Sequence, residues 1–286
     1  GAERRYRRPM SPLVIALVLG SAVLHAAWNA LLRSGADRLW SMTVMCALCA
    51  VFALPVALIA PHPAPASWPY IIGSAALQIL YALFLVRAYR HGQLAHVYPI
   101  ARGAAPLLVT LGAALVAGEQ LAPLSLLGVV LVSAGIAAIA FGHGRPDAVS
   151  SLAALATGCF IAGYMVTDGV GVRLSGHAIG YAAWQAILDG APMPLVYFAL
   201  RRSWPRVRPN LELGKMAGGA LISLTAYGVV IWAMSLSPMG QVSALRETSI
   251  LFAAVIGVAF LKERVTGRRL LGAAVIAGGA VALSLG

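Results

Sequence analysis

Charge is what this chain lacks. Only 10% of its 286 residues are charged, 9 are acidic, and hydrophobic types make up 60%. A soluble domain carries about 25% charged residues. The polar side chains here are too few to cover a globule of this size, which excludes a soluble enzyme, a nucleic-acid module and a disordered chain. Cysteine is also scarce. Cys46, Cys49 and Cys159 all lie in apolar runs. Cys46 and Cys49 form a C-x-x-C, but no βαβ pattern surrounds it and no second pair exists, so no metal or redox centre is expected. Two small thiols on one helix face are the simpler reading. The phosphate-binding pattern G-x-x-x-x-G-K-[ST], G-x-S-x-G and H-E-x-x-H are absent, so neither ATP hydrolysis nor a familiar intramembrane hydrolase is expected. The sequence therefore points to no catalytic residue and no cofactor.

What the chain has is apolar length. Its mean hydropathy is +0.85, and a membrane span needs ~20 apolar residues. Ten candidate spans fall at 12–32, 38–60, 69–90, 93–117, 121–142, 148–169, 177–200, 214–236, 239–261 and 267–286. Breakers separate them, among them Pro61, Pro63 and Pro65, Gly118 to Pro123, Gly142 to Pro146, Gly176, Pro205 and Pro209, and Pro238. In hydrocarbon an unpaired backbone group costs several kcal/mol, so spans are helices or closed barrels. Runs of ~20 residues without period-two alternation exclude barrel strands. The fold expected is an all-α polytopic membrane protein. Met10, opening Met-Ser-Pro ahead of the first run, reads as a start site.

A repeat lies within the chain. Aligned so that Arg102 meets Arg246, the same displacement sets Glu119 on Glu263, Leu126-Leu127-Gly128 on Leu270-Leu271-Gly272, and Gly135 on Gly279. Leucine and glycine matches are cheap in this composition; ungapped Arg and Glu matches are not. Two five-helix halves follow, 12–142 and 148–286. Because five is odd, the second half enters the membrane from the opposite side. Such inverted repeats place a substrate site near the midplane and exchange access by rocking. A complete duplication argues against a half-size partner subunit, so a monomer suffices.

The net charge of +12 suits cytoplasmic loops of a membrane protein better than a nucleic-acid partner. Most Lys and Arg fall between spans 1–2, 3–4, 5–6, 7–8 and 9–10. The other side holds Arg4, Arg5, Arg7, Arg8 and Arg173. The count puts the odd-numbered loops in the cytoplasm and both termini outside.

Ionisable groups inside spans are functional candidates by default. Arg102 and Arg246 lie about 13 and 10 Å deep, at about 1.5 Å per residue. Each offers a planar fork for a carboxylate. Glu247, beside Arg246, could instead neutralise either arginine and make the pair structural. Asp189 lies mid-span in Asp-Gly-Ala-Pro, where Pro192 and Pro194 bend or break the helix. It could bind a proton or an amine, or hydrogen-bond the freed backbone. Glu247 and His25 are further proton or gating candidates. Polar and aromatic groups recur inside spans: Trp28, Asn29, Gln78, Tyr81, Tyr98, Tyr164, Trp184, Gln185, Tyr227 and Trp232. Interfacial Trp and Tyr usually anchor the membrane boundary, which suits Trp40, Trp68 and Trp204. The others suit an apolar cavity with a few placed polar groups. Spans 5 and 10 carry no interior charge. Gly128 with Gly135, and Gly272 with Gly279, mark them as packing helices.

These residues resemble a family. His25-Ala-Ala-Trp28-Asn29-Ala-Leu-Leu-Arg33 is similar to the first helix of EamA-type proteins of the drug/metabolite transporter superfamily. Tyr98-Pro99-Ile-Ala-Arg102-Gly103-Ala-Ala-Pro106, with Gly118-Glu119, resembles their fourth helix and its exit. Leu245-Arg246-Glu247, Leu261-Lys262-Glu263-Arg264, Gly272 and Gly279 resemble the matching part of the second half. The resemblance runs from about Pro12 to Gly286. It implies two inverted five-helix units, a central cavity lined mainly by spans 1, 3, 4, 6, 8 and 9, and peripheral spans 5 and 10. Among such proteins, amino-acid exporters of the YddG type are the nearest in character. The expectation is a multi-pass inner (plasma) membrane exporter whose partners are a small zwitterionic metabolite and the lipid bilayer. Rival expectations are export of drugs, nucleosides or sugar-linked metabolites, and, in another class, a lipid-flipping or scaffold subunit.

Overall fold

The computed structural model describes residues 10–33, 37–90, 94–140, 148–203, 211–261 and 266–286. They form twelve α-helices and one 3₁₀ turn, with no strand among the described residues. The first half holds α1 (Pro12–Arg33), α2 (Arg38–Ile59), the 3₁₀ turn Pro65–Ser67, α3 (Trp68–Arg90), α4 (Leu94–Ala117) and α5 (Pro123–Ala140). The second half holds α6 (Ala148–Ser175), α7 (Ala178–Gly190), α8 (Met193–Arg201), α9 (Leu211–Leu236), α10 (Met239–Glu247), α11 (Ser249–Leu261) and α12 (Gly267–Leu285). Six stretches are long and apolar enough to cross a membrane: Pro12–Leu31, Leu39–Ile59, Ile100–Ala117, Ala154–Ser175, Glu212–Leu236 and Gly267–Leu285.

Burial follows the membrane pattern. Leu58, Ile59, Leu115, Leu195 and Leu285 lie on the outside, where in water they would be a liability and in lipid are solvated. Inside, small residues such as Ala22, Ala53, Ala57, Ala105, Ala113 and Ala220 let helices approach closely. The most enclosed of the six long stretches is in α6, which packs on both α3 and α4.

Two of the apolar runs expected to span are interrupted. The first interruption falls between α7 and α8, where the Pro192–Pro194 signal places it: proline removes backbone donors and clashes with the preceding turn. The second, between α10 and α11, has no proline. There the Thr248 N–H bonds to Leu245 O at 3.1 Å, Leu251 N–H bonds to Thr248 O at 2.9 Å, and the Thr248 hydroxyl donates to Leu245 O at 2.6 Å. Such i→i+3 bonds tighten one turn to 3₁₀ geometry, with Thr competing for the carbonyl. Conversely, α4 runs unbroken through Pro99 and Pro106, and α2 through Pro55.

The α5–α12 crossing brings two backbones into close contact. A Cβ on Gly128 would lie 2.8 Å from Gly279 O, and one on Gly279 would lie 2.9 Å from Gly128 O. Gly135 and Gly272 repeat this, at 2.8 and 2.9 Å. The numbers rise along one helix as they fall along the other, so α5 and α12 run antiparallel. Gly128→Val is expected to cost at least about 1–3 kcal/mol, the usual range for overpacking, because two of the three nearest obstructing atoms are backbone. A lowered melting temperature in detergent checks this; an unchanged one would mean that the helices separate freely.

The ends of α2, α4, α6 and α9 and the starts of α3, α5, α7 and α10 gather at one end of the bundle. Ala64 N–H bonds to Ser175 O at 3.0 Å there, and Gln241 Nε2 donates to Ser125 Oγ at 2.5 Å. At the opposite end, which carries most of the basic loops, Arg201 lies 3.5 Å from Asp37, the N-cap of α2.

Candidate functional site

A cavity of about 180 Å³ lies between the halves. For scale, a dry cavity of roughly 150 Å³ holds a benzene. Its wall takes His25, Trp28 and Asn29 from α1, Cys46 and Cys49 from α2, and Gln78 and Tyr81 from α3. Arg102 comes from α4, Tyr164 from α6, Gln185 and Asp189 from α7, Tyr227 from α9 and Arg246 from α10. Counted along their helices, these residues reach from mid-span toward the basic end, and Trp28, Asn29 and Met42 lie nearest to it.

Three expected residues stand elsewhere. Trp184 is not in the wall. It packs on the rings of Trp68, at 5.3 Å between centroids, and His62, at 6.0 Å, because its position on α7 faces the α3 start rather than the cavity. Trp232 packs into the apolar core instead of the wall. Glu247 is wholly buried behind the wall. The side chain of Tyr98 lies outside the described residues.

The two arginines differ in their partners. Arg102 Nε lies 2.8 Å from Glu247 Oε2, and its Nη2 lies 3.1 Å from His25 Nε2 and 3.4 Å from Ser249 Oγ. Its charge is matched by a carboxylate. Trp28 Nε1 also points at His25 Nδ1, at 3.3 Å. Both groups aimed at this imidazole are donors, and a neutral ring has one acceptor nitrogen, so only one of the two contacts is a hydrogen bond. Imidazolium, with donors alone, does not fit this arrangement.

Arg246 has no carboxylate within 4 Å among the described residues. Its Nη1 lies 3.7 Å from Met165 Sδ, and its Cζ stands 5.3 Å from the centroid of Tyr227. Thioether and ring face hold the guanidinium by weak contacts and leave its fork for an incoming anion. Tyr81, Tyr164 and Tyr227 stand in an edge-on row, each neighbouring pair 6.2 Å apart. Asp189 reaches the cavity one residue before the end of α7 and has no ion pair among the described residues.

The end away from the basic loops is tied shut. Glu119, just past α4, lies 2.5 Å from Arg173 Nη2 and accepts from the Met239 N–H at 2.9 Å. Arg173 also donates to Met234 O at 2.9 Å and Ser237 O at 3.0 Å. One carboxylate thus joins the exit of α4, the last turn of α6 and the α9–α10 turn. An anion at a helix N-terminus, here α10, is also favourably placed. Glu119→Ala should loosen this closure by about 3 kcal/mol, the low end for breaking a buried pair, since Arg173 keeps its two carbonyls. The check is a cysteine placed at buried Ser237. It should react faster with an impermeant thiol reagent in the Glu119→Ala background, and an equal rate would mean that Glu119 closes nothing.

Asp168 was not legible in the sequence. Span 6 was expected to end at 169, yet α6 continues to Ser175, which makes Asp168 an interior residue. It is fully buried and receives hydrogen bonds from Tyr181 at 3.0 Å and Tyr227 at 2.5 Å. The signal available was a lone carboxylate in an apolar run. No group of three or more His, Cys, Asp or Glu suited to a metal occurs among the described residues.

No curated protein matches the chain. A solved crystal structure of a protein resembles it with a TM-score of 0.77 at 20% identity, over 96% of this chain and 98% of that one. At that identity the likeness speaks for the fold. The EamA-like transporter family matches over residues 12–141 and again over 149–285. It is a family of membrane transporters for small molecules rather than of enzymes, and matches over both stretches account for nearly the whole sequence: the chain belongs to the EamA-like transporter family.

Proposed function

We propose that this protein is a secondary exporter of amino acids or similar small zwitterionic metabolites, working by alternating access through the cavity. The observation that carries the reading is Arg246, a cavity cation with no carboxylate partner among the described residues. A substrate carboxylate completes it, as two charge-assisted hydrogen bonds to one guanidinium. Asp189 offers the opposite charge for an amine, and the tyrosine row gives apolar walls for a side chain.

The rest of the architecture supports this. We take the chain as ten transits in two inverted halves, 12–142 and 148–286, with α7–α8 and α10–α11 each making one transit. Under that assignment the helix pairings map onto themselves. The pairing α1–α9 matches α6–α3, and α2–α9 matches α7–α3. Likewise α1 against α10 and α11 matches α6 against α4. The reciprocal glycine contacts of α5 and α12 are what an axis between them requires, and Arg102 on His25 corresponds to Arg246 on Met165. With the basic loops cytoplasmic, the cavity reaches toward the cytoplasm and the Glu119–Arg173 closure faces outward. That is the loading conformation of an exporter in a bacterial-type inner membrane.

Counterflow in proteoliposomes tests the function. With unlabelled amino acids inside, transient accumulation of a labelled one above protein-free vesicles is expected for a subset of the twenty. Accumulation of nucleosides or apolar cations, with none for any amino acid, would transfer the site to the rival substrate class.

A further inference from the structure

Asp168 is the buried ionisable group that substrate recognition leaves unused. It lies two turns before the end of α6, between the cavity and the outward closure. Tyr227 of α9 has its hydroxyl on Asp168 and its ring on the cavity wall. Tyr181 of α7 reaches the other carboxylate oxygen by passing over Gly171, where any side chain would collide with its ring and hydroxyl. No Lys, Arg or His lies within 4 Å of Asp168 among the described residues. The charged groups beyond are Arg246 of α10, on the ring of Tyr227, Asp189 further along α7, and Arg173 with Glu119 at the closure. From α3, Gly73 meets Thr167; from α4, Gly112 meets Val166; neither brings a charge.

A carboxylate so enclosed is costly as an anion unless its oxygens are bonded, and here the two phenols bond them, with the Ser74 hydroxyl of α3 as a further donor. Ionised, it accepts from both and ties α6, α7 and α9 together. Protonated, it donates through one oxygen and loses its charge, so the phenol bonds it accepts are no longer charge-assisted and weaken. The other proton candidates are committed elsewhere. Glu247 faces the Arg102 guanidinium at 2.8 Å, His25 is set between donors, and Asp189 stands in the cavity.

We infer that Asp168 is the proton-binding site that couples export to a proton gradient, exchanging its proton with the cavity by way of Tyr227. One proton adds to a carboxylate oxygen when the outward end opens. The same proton leaves to water in the cavity when the inward end opens, and no other bond changes. The ionised form then holds the outward end shut through Tyr181 and Tyr227. This rests on the transporter reading above.

The test uses proteoliposomes with an entrapped pH-sensitive dye and an outward gradient of the twenty amino acids as probe. Wild type should move protons against amino acids. Asp168→Asn should keep counterflow within about twofold of wild type while proton movement falls to the protein-free level. Proton movement persisting in Asp168→Asn, or wild-type counterflow without proton movement, overturns the inference and leaves the transporter reading standing. Infrared difference spectra of the lipid-embedded protein between acid and alkaline pH need no substrate. A protonated-carboxyl band absent in Asp168→Asn and shifted in Tyr227→Phe is expected. A band unchanged in both variants overturns the inference even if counterflow fails for every probe.

Discussion

Arg246→Ala is expected to abolish amino-acid counterflow while leaving a folded protein. Each hydrogen bond to a charged group contributes about 1.5–3 kcal/mol. Losing two costs about 3–6 kcal/mol, so binding falls at least ~100-fold. The protein itself loses little, because among the described residues the guanidinium is held by a thioether at 3.7 Å and a ring at 5.3 Å, with no carboxylate. Arg246→Lys should recover part of the activity, since an ammonium keeps the charge but not the planar fork. Counterflow beside a melting curve for each variant decides. Full transport in Arg246→Ala removes this residue from the site.

Arg102→Ala should do the opposite: its first effect is on folding. Glu247 is wholly buried and its carboxylate faces Arg102. Removing one partner strands a charge in the interior, at about 3–5 kcal/mol. For a chain of this length that corresponds to a fall in melting temperature on the order of 10 °C. Replacing both partners by leucine should restore most of it, because an apolar pair carries no desolvation cost. The readouts are melting temperature and monodispersity in detergent. An Arg102→Ala protein that melts like wild type would show that Glu247 is satisfied without it. Sequence alone treats the two arginines alike, each a substrate contact or a partner of Glu247; the structure separates them through that one carboxylate.

That separation shows where sequence reading stops. Glu247 follows Arg246 directly, and adjacency in the chain suggests pairing. On a helix, successive side chains diverge by about 100°, so neighbours in sequence do not face each other. Glu247 therefore turns to α4 and meets Arg102. The membrane character, the break at Pro192 and the packing role of Gly128, Gly135, Gly272 and Gly279 were legible, because each rests on composition or local backbone chemistry. The tightened turn at Thr248 was not: a threonine in a helix is ordinary, and only its hydroxyl's bond to Leu245 O marks it. Asp168 was obscured because Gly169 and Gly171 look like a helix end, whereas they are the smooth face on which Met239 and Tyr181 pack. The Glu119–Arg173 closure joins segments far apart in the chain, and no local pattern announces it. Trp184 looked like a cavity residue from its depth alone; which face it presents depends on how α7 rests against α2 and α3.

The cysteines report on the central claim, a cavity between two halves that opens toward the basic loops. Cys46 and Cys49 line it, while Cys159 sits on the exposed outer face of α6. A membrane-impermeant thiol reagent should be applied separately to each side of oriented vesicles, and the modified residues read by mass spectrometry. The account predicts modification of Cys46 and Cys49 from the side bearing the basic loops, slowed by excess substrate amino acid, with Cys159 untouched. Labelling of both solely from the opposite side, or no labelling of either from any side, would contradict it.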